Sequence, residues 1–348
     1  MNNLSAYERV LFWVNCIPMC LLLISCVLFY FPLDSFPFLH LISLGVPVLV
    51  IVNLIFLLYW IIRRKLISVV PIIVLVIGYF VFGPFFKLPF NGDSRDLNDL
   101  SIMSFNTRAF NKYDWIDKPE IGDEIIAFVT EQDPDVVCFQ EFQSSRYKEF
   151  SQYPYRYMNY IFPENKSHVV QAIFSKLPIV DKGSLDFPNT GNNAIYADVI
   201  YKQDTLRVYN LHLESLKLDV NKAELTNKYS GKFMERIQIS FSKQREQAEL
   251  LKVHSNTSDH KKLLLGDFNN TQFSNVYKTI KGDLTDTFIA RGTAYGRTHT
   301  FKYFPVRIDF IMVDPSFEVL SHKNFDLELS DHLPIMASIR LSHQETVD

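Results

Sequence analysis

Hydrophobic and polar positions divide the chain into two unlike parts. Val10–Phe31, Phe38–Ile62 and Leu66–Phe86 contain no Asp, Glu, Lys or Arg. Each is close to or above the ~20 apolar residues that cross a bilayer core. Three transmembrane helices are therefore expected, at about 10–31, 38–62 and 66–86. Pro18, Pro47 and Pro71 fall inside these runs, where a helical bundle tolerates kinks. Beyond them the pattern changes to short apolar runs separated by polar segments. Leu100–Phe105, Asp135–Phe139, Ala172–Phe174, Ile195–Ile200, Leu206–Leu211, Lys262–Leu265, Ile308–Val313 and Ile335–Ile339 read as strands. Glu120–Glu131 places Ile121, Ile125, Phe128 and Val129 on one helical face and stops before Pro134. Lys232–His254 reads as a second, broken helical stretch. Interleaved strands and helices predict an α/β or α+β domain with packed sheets.

The polar stretch Lys87–Asp99, with Gly and Pro, separates the two parts. This gives a membrane anchor at 1–90, a linker at 91–99 and a soluble domain at 100–348. Basic residues set the orientation. Arg63-Arg64-Lys65 fill the short loop between the second and third runs, and Arg9 precedes the first. The positive-inside rule puts both in the cytoplasm. The Pro32–Pro37 loop, free of Lys and Arg, then lies outside, as does everything after Phe86. The expected location is the inner (cytoplasmic) membrane, multi-pass, with the domain on the extracytoplasmic or periplasmic side. Leu23-Ile24-Ser25-Cys26 resembles a lipoprotein processing site, but the apolar run continues past it, so no cleavage is expected there.

Charge narrows the partners. Residues 1–90 hold five Lys/Arg and two Asp/Glu, so the remainder carries 35 − 5 = 30 basic and 38 − 2 = 36 acidic side chains, net −6. That balance argues against tight non-specific binding to a long nucleic acid. Cys16, Cys20 and Cys26 lie in the first apolar run, leaving Cys138 alone in the domain, without a disulfide partner there.

Candidate chemistry clusters at strand ends. Lys262–Asn269 is an apolar run that stops at Gly266 and then presents Asp267 and Asn269, two apart and so on one side of an extended chain. Alone, this is an Asx turn. Other strand ends repeat the theme. Asn106 closes the first, Gln140-Glu141 the second, and Asn210, His212 and Glu214 share a face of a third. Asp309 sits inside an apolar strand, where an unpaired carboxylate is costly. Ser330-Asp331-His332 precedes the last strand.

In order, SFNTRAF, DVVCFQEF, AIFSKLPI, YNLHLES, LLLGDFNN, RIDFIMV and SDHLPI resemble the endonuclease/exonuclease/phosphatase superfamily from about Asn98 to the C-terminus. The superfamily includes pancreatic-type deoxyribonucleases, abasic-site endonucleases, inositol polyphosphate 5-phosphatases and bacterial sphingomyelinases. The resemblance implies an α+β, four-layer fold of two packed β-sheets flanked by helices, here preceded by the three transmembrane helices. It also implies roles. Glu141 would be the main metal carboxylate, with Asn106 and Asp331 beside it, for Mg²⁺ or Mn²⁺. Asp267 would orient or deprotonate the attacking water, Asn269 and His212 would hold the phosphate, and Asp309 would partner His332. The expected activity is metal-dependent hydrolysis of a phosphodiester, in nucleic acid or a phospholipid head group. A phosphomonoesterase, acting on a small phosphate ester, is the alternative within the family, and an inactive membrane-tethered binding module the alternative outside it. The lipid bilayer is the one other partner expected; no protein partner is implied. The loops that would set the substrate, Arg146–Lys166 with its many aromatic residues and the polar insertion Leu216–Ser230, give no further clue.

Overall fold

The computed structural model describes residues 4–31, 37–84, 86–88, 99–159, 169–216, 230–301 and 304–342. The linker expected at 91–99, apart from Asp99, nearly all of the Leu216–Ser230 insertion and part of the Arg146–Lys166 segment lie outside these residues.

Helices come first: α1 (Ala6–Tyr30), α2 (Leu41–Leu44), α3 (Val46–Ile62) and α4 (Val69–Phe82). A capping box starts α1, in which the Ser5 hydroxyl accepts from the Glu8 amide and the Glu8 carboxylate accepts from the Ser5 amide. Among the described helices, α1 alone is long and apolar enough to cross a membrane. The other two expected spans are shorter than their apolar runs. Gly45 ends α2, and α3 restarts with Pro47 in its first turn and runs for 17 residues. The third run opens as a tight 3₁₀ turn, Leu66–Ser68, before α4.

α1, α3 and α4 pack against one another. Between them the Trp60 indole donates to the Asn15 carbonyl oxygen at 3.2 Å, and the Asn15 amide donates to Asn53 at 3.4 Å. At one end of the bundle Glu8 meets Arg63 at 3.1 Å and Lys65 at 3.2 Å. The outer surface is apolar, with Val10, Trp13, Ile17, Ile55, Leu58 and Phe80 exposed.

The domain that follows runs β1 (Leu100–Asn106), α5 (Ile121–Gln132), β2 (Val136–Gln143), β3 (Tyr155–Asn159), β4 (Val169–Ser175), β5 (Ile179–Ser184), β6 (Asn193–Tyr201) and β7 (Asp204–His212). It continues with α6 (Ser230–Ser255), β8 (Lys261–Asp267), α7 (Asn275–Lys281), β9 (Thr285–Asp286), α8 (Thr287–Arg291), β10 (His299–Phe301), β11 (Phe304–Val306), β12 (Asp309–Val313), β13 (Phe317–Asn324) and β14 (Ile335–Leu341). One six-stranded sheet has the order β13-β14-β1-β2-β4-β3 and the other β5-β6-β7-β8-β12-β9, while β10 and β11 form a separate ribbon.

The sheets pack face to face. Ile102, Cys138 and Ala337 of the first interdigitate with Ala197, Leu263 and Ile311 of the second. On the outer face of the first, α5 buries Ile121, Ile125, Phe128 and Val129. On the outer face of the second lie α6, through Ala248 and Leu251, and α7, through Val276, Tyr277 and Ile280. The result is the expected α+β arrangement of two sheets flanked by helices. Strands covered on both faces read as continuous apolar runs, which is why all eight expected strands are present. β3, β5, β9 and β13, unforeseen, are the sheet edges, where solvated faces dilute the apolar signal. The stretch expected to be broken at 232–254 is one 26-residue helix, α6, with no Pro and no Gly beyond Gly231.

The helical bundle seats directly on this domain. Phe82 meets Phe273 edge-on at 5.5 Å, the Asn275 amide donates to the Phe29 carbonyl at 2.9 Å, and Leu41 and Leu44 pack on Leu216, Ile237 and Phe241.

Candidate active site

Most of the chemical groups singled out in the sequence lie where strand ends of the two sheets meet. β1 and β2 run parallel with Asn106 beside Gln140. β7 and β8 run parallel with His212 beside Asp267, and β12 runs antiparallel to β8 with Asp309 opposite Asp267. The first sheet thus delivers Asn106 and Glu141, the second His212, Asp267 and Asp309, and the segment before β14 delivers Asp331 and His332.

Two backbone features set the aim. Gly266 has φ +144°, and a Cβ there would stand 2.0 Å from the Leu211 carbonyl oxygen. Only glycine lets β8 close onto β7 and hold Asp267 against His212. In β2 the register slips between Phe139 and Phe142, and Glu141 takes φ +49°. This bulge turns Glu141 toward the mouth while Phe139 and Phe142 stay in the core.

The geometry is tight. His332 Nδ1 bonds Asp309 Oδ2 at 2.9 Å, and its Nε2 lies 3.6 Å from Asp267 Oδ2. His212 Nε2 is 3.8 Å from that same oxygen and 3.9 Å from Glu141 Oε1. The Asn106 amide donates to Asp267 Oδ2 at 3.2 Å, and the Asn269 backbone amide donates to Asp267 Oδ1 at 2.7 Å. Asn269 adopts φ +48°, and its side-chain amide donates to the Leu213 carbonyl at 2.9 Å. Asp331 lies 3.3 Å from the Arg108 guanidinium. Glu214, predicted to share the face of His212, sits past the strand end and accepts from the Thr190 hydroxyl instead.

Electrostatics follow from burial and mixed charge. Burial disfavours the His332 cation, but the Asp309 and Asp267 carboxylates overcome it and hold the pKa up at about 10. Burial, with Asp309 adding to it and His332 opposing it, pushes Asp267 up to about 6. Glu141 is raised by burial and by the nearby Asp331, against the pull of His332. His212 is lowered by burial and stays neutral at ordinary pH.

Some site neighbours were not foreseen. The His299 ring lies 4.6 Å from that of His332, its Nδ1 bonds the Asp331 carbonyl at 2.9 Å, and burial lowers its pKa. Thr298 Oγ1 accepts from the Ile308 and Asp309 amides, fixing the start of β12. Gln140 and Asn210 form an amide clasp between the sheets. Gln140 Nε2 donates to Asn210 Oδ1 at 2.7 Å, and Asn210 Nδ2 donates to the Phe139 and Ala172 carbonyls. A buried amide pair on facing strands carries no signal in one sequence. His299 lies in β10, a three-residue strand that no apolar run announces in the sequence.

Close groups of His299, Asp331 and His332, and of Asp267, Asp309 and His332, have ligand-type atoms within 4.8 Å of one another. A cationic imidazole already bonded to Asp309 makes a poor ligand. Glu141, whose charge the nearby Asp331 disfavours, Asp331 itself and the Asn106 amide alongside are the donors that fit a hard divalent ion.

A profile of the endonuclease/exonuclease/phosphatase family matches residues 103–332. A domain of unknown function matches residues 8–85. Sequence comparison with curated proteins finds no match. An endonuclease/exonuclease/phosphatase family protein from Bacteroides thetaiotaomicron superposes with TM-score 0.54 at 20% identity, over 69% of this chain and 97% of that one. The mannosyl-6-phosphatase of the same organism gives 0.52 at 20%, over 69% and 99%. D. rerio TDP2, complexed with a single-strand DNA product, gives 0.51 at 17%, over 70% and 99%. At these identities the likeness establishes the fold of the domain.

Proposed function

The chain belongs to the endonuclease/exonuclease/phosphatase family, and from that membership we propose that it is a membrane-anchored, metal-dependent phosphoesterase that hydrolyses a phosphodiester. The observation that carries the reading is the clamp on His332. Its two nitrogens face Asp309 at 2.9 Å and Asp267 at 3.6 Å, with His212 and Glu141 at the same mouth. A buried cation beside a buried carboxylate of pKa about 6 is costly to fold around. Such groups accumulate where chemistry needs them.

The roles follow from the geometry. Asp267, ionised above about pH 6, accepts a proton from the attacking water and orients it. Asp309 fixes the orientation of the His332 ring and keeps it charged, so that Nε2 donates to a phosphoryl oxygen where negative charge grows. His212, neutral, donates a second hydrogen bond. Asn269, its backbone locked by Asp267, completes the phosphate cradle. Glu141, Asn106 and Asp331 would hold Mg²⁺ or Mn²⁺, which supplies positive charge for the phosphoryl group. The likeness in fold to a mannosyl-6-phosphatase keeps phosphomonoester hydrolysis as the second reading.

The anchor reading covers residues 1–90, with the linker at 91–99 and the catalytic domain at 100–348. α1 meets the length and composition for a span. α3 and α4 are packed on it, and the bundle's outer surface is apolar, as a lipid-facing surface must be. Arg63 and Lys65 cluster at the end of the bundle opposite the domain. The positive-inside rule then places the domain outside the inner membrane, in the periplasm of a two-membrane bacterium.

The test is a hydrolysis panel on the full chain in detergent micelles, with Mg²⁺ or with EDTA. It compares plasmid DNA, RNA, a sphingomyelin-type lipid, inositol phosphates and a simple diester. Metal-dependent release from at least one ester, abolished in Glu141→Ala, is expected. Activity unchanged by EDTA, or by Asp267→Ala, overturns the mechanism.

A further inference from the structure

We infer that the active site works on a phosphate ester held in the bilayer that anchors the enzyme, one alcohol of the ester carrying an alkyl chain. The inference rests on the phosphoesterase reading above and names its substrate class.

The observation is how the anchor meets the catalytic loops. Two strand ends that carry site residues run straight into the end of the helical bundle. After His212 the chain reaches Leu216, which packs with Leu41 and Leu44 of α2. After Asp267 and Asn269 it reaches Gln272 and Phe273. Phe273 stacks edge-on against Phe82, the last residue of α4, and Gln272 donates to the Pro84 carbonyl at 3.4 Å. Asn275 caps the Phe29 carbonyl near the end of α1, and Lys278 lies over the Tyr30 ring at 4.9 Å.

The seating is also built into the site. Arg307, two residues before Asp309, donates to the Gln272 side-chain amide oxygen and to Asp286. The buried Tyr277 hydroxyl donates to the same Asp286 at 2.7 Å. The loop that touches the anchor is thereby tied to the strand that holds His332. The bundle end is a fixed neighbour of the mouth, through polar bonds as well as apolar contact.

Distance decides the consequence. At no more than ~3.6 Å per residue, four residues from His212 and five from Asp267 span at most roughly 14 and 18 Å. Head groups occupy about 5–7 Å on each side of the hydrocarbon core. A phosphate on an alkyl chain in the outer leaflet therefore lies within a short rise of the mouth. The rim suits that approach. Tyr113 and Trp115 are exposed, with Trp115 under the Arg108 guanidinium that pairs with Asp331. Phe304 is 63% exposed on the ribbon that carries His299. Exposed aromatic rings of this kind lie well at a lipid–water boundary. The net acidic charge of the domain disfavours tight binding of a long nucleic acid.

The experiment holds the reacting bond constant and changes only where the ester resides. The full chain is reconstituted into phosphatidylcholine vesicles with Mg²⁺. It is given hexadecyl p-nitrophenyl phosphate in the same vesicles, the same ester in separate protein-free vesicles, soluble methyl p-nitrophenyl phosphate, or a single-stranded oligonucleotide. Release of p-nitrophenol at least ten-fold faster from the same-vesicle ester than from the other two p-nitrophenyl arms is expected, with the oligonucleotide left intact. Equal rates for the hexadecyl and methyl esters, or faster cleavage of the oligonucleotide, overturn the inference and leave the phosphoesterase standing. Absence of hydrolysis in every arm overturns the phosphodiesterase reading, and the inference with it.

Discussion

Asp267→Asn should make the protein more stable while disabling it, and the gain should depend on pH. Asp267 is 1% exposed, and its pKa rises from 3.8 to about 6 because burial and Asp309 oppose its charge more than His332 and His212 favour it. A carboxylate whose folded pKa lies above its unfolded value favours folding most when protonated. Its contribution is full below pH 3.8 and is lost as pH rises through about 6. Two pKa units correspond to about 3 kcal/mol of folding free energy forfeited above pH 7. The amide mimics the protonated acid and forfeits nothing. In EDTA, the full chain in detergent should therefore melt roughly 6–12 °C higher as the Asn variant at pH 8, at about 2–4 °C per kcal/mol for a domain this size. At pH 4 the two should melt within about 2 °C of each other. Thermal unfolding followed by tryptophan fluorescence at both pH values decides it. A Tm difference that stays constant between pH 4 and pH 8, or a less stable variant at pH 8, refutes the electrostatic account of the site.

Other perturbations separate chemistry from architecture. His332→Ala should lower kcat by about 10³ or more through loss of the cationic donor, with the melting temperature as the control for folding. Wild-type activity should rise with pH until Asp267 is ionised, at or below about pH 6 with metal bound, and fall as His332 loses its proton near pH 10, read as a bell-shaped kcat/KM profile. Gly266→Ala should destabilise by more than about 3 kcal/mol in urea unfolding, because its Cβ would meet the Leu211 carbonyl oxygen at 2.0 Å. Asn210→Leu strands the Gln140 amide and the Phe139 and Ala172 carbonyls between the sheets, and should cost about 2–4 kcal/mol by the same measurement.

What the sequence showed and what it hid divide along physical lines. Central strands such as β1 and β8 are buried on both faces, so apolar runs announce them. Asp309 was conspicuous because a carboxylate in an apolar strand needs a partner, and the partner is His332. Edge strands such as β5, which has no fully buried residue, left no comparable trace. Nor did the Gln140–Asn210 clasp, since two amides become a pair only once strands 70 residues apart are stacked. The three apolar runs were plain. That α2 and α3 split the second one at Gly45 follows from backbone geometry that hydropathy does not record. His299 entered through stacking on His332, a contact across 32 or more residues of chain with no local mark.

The placement of the last strand bears on when the protein becomes dangerous to its surroundings. β14 lies inside the first sheet, between β13 and β1, with Ile339 opposite Leu100, and His332 is threaded in just before it. A chain made only as far as β13 has its amino-terminal helices and most of the strand ends that line the site, but neither the His332 imidazole nor the strand that follows it. On the proposed reading, hydrolysis therefore waits until the segment carrying His332 and β14 has been made. The amino-terminal helices are complete well before that, so on the same reading the growing polypeptide stays unarmed while they find their place.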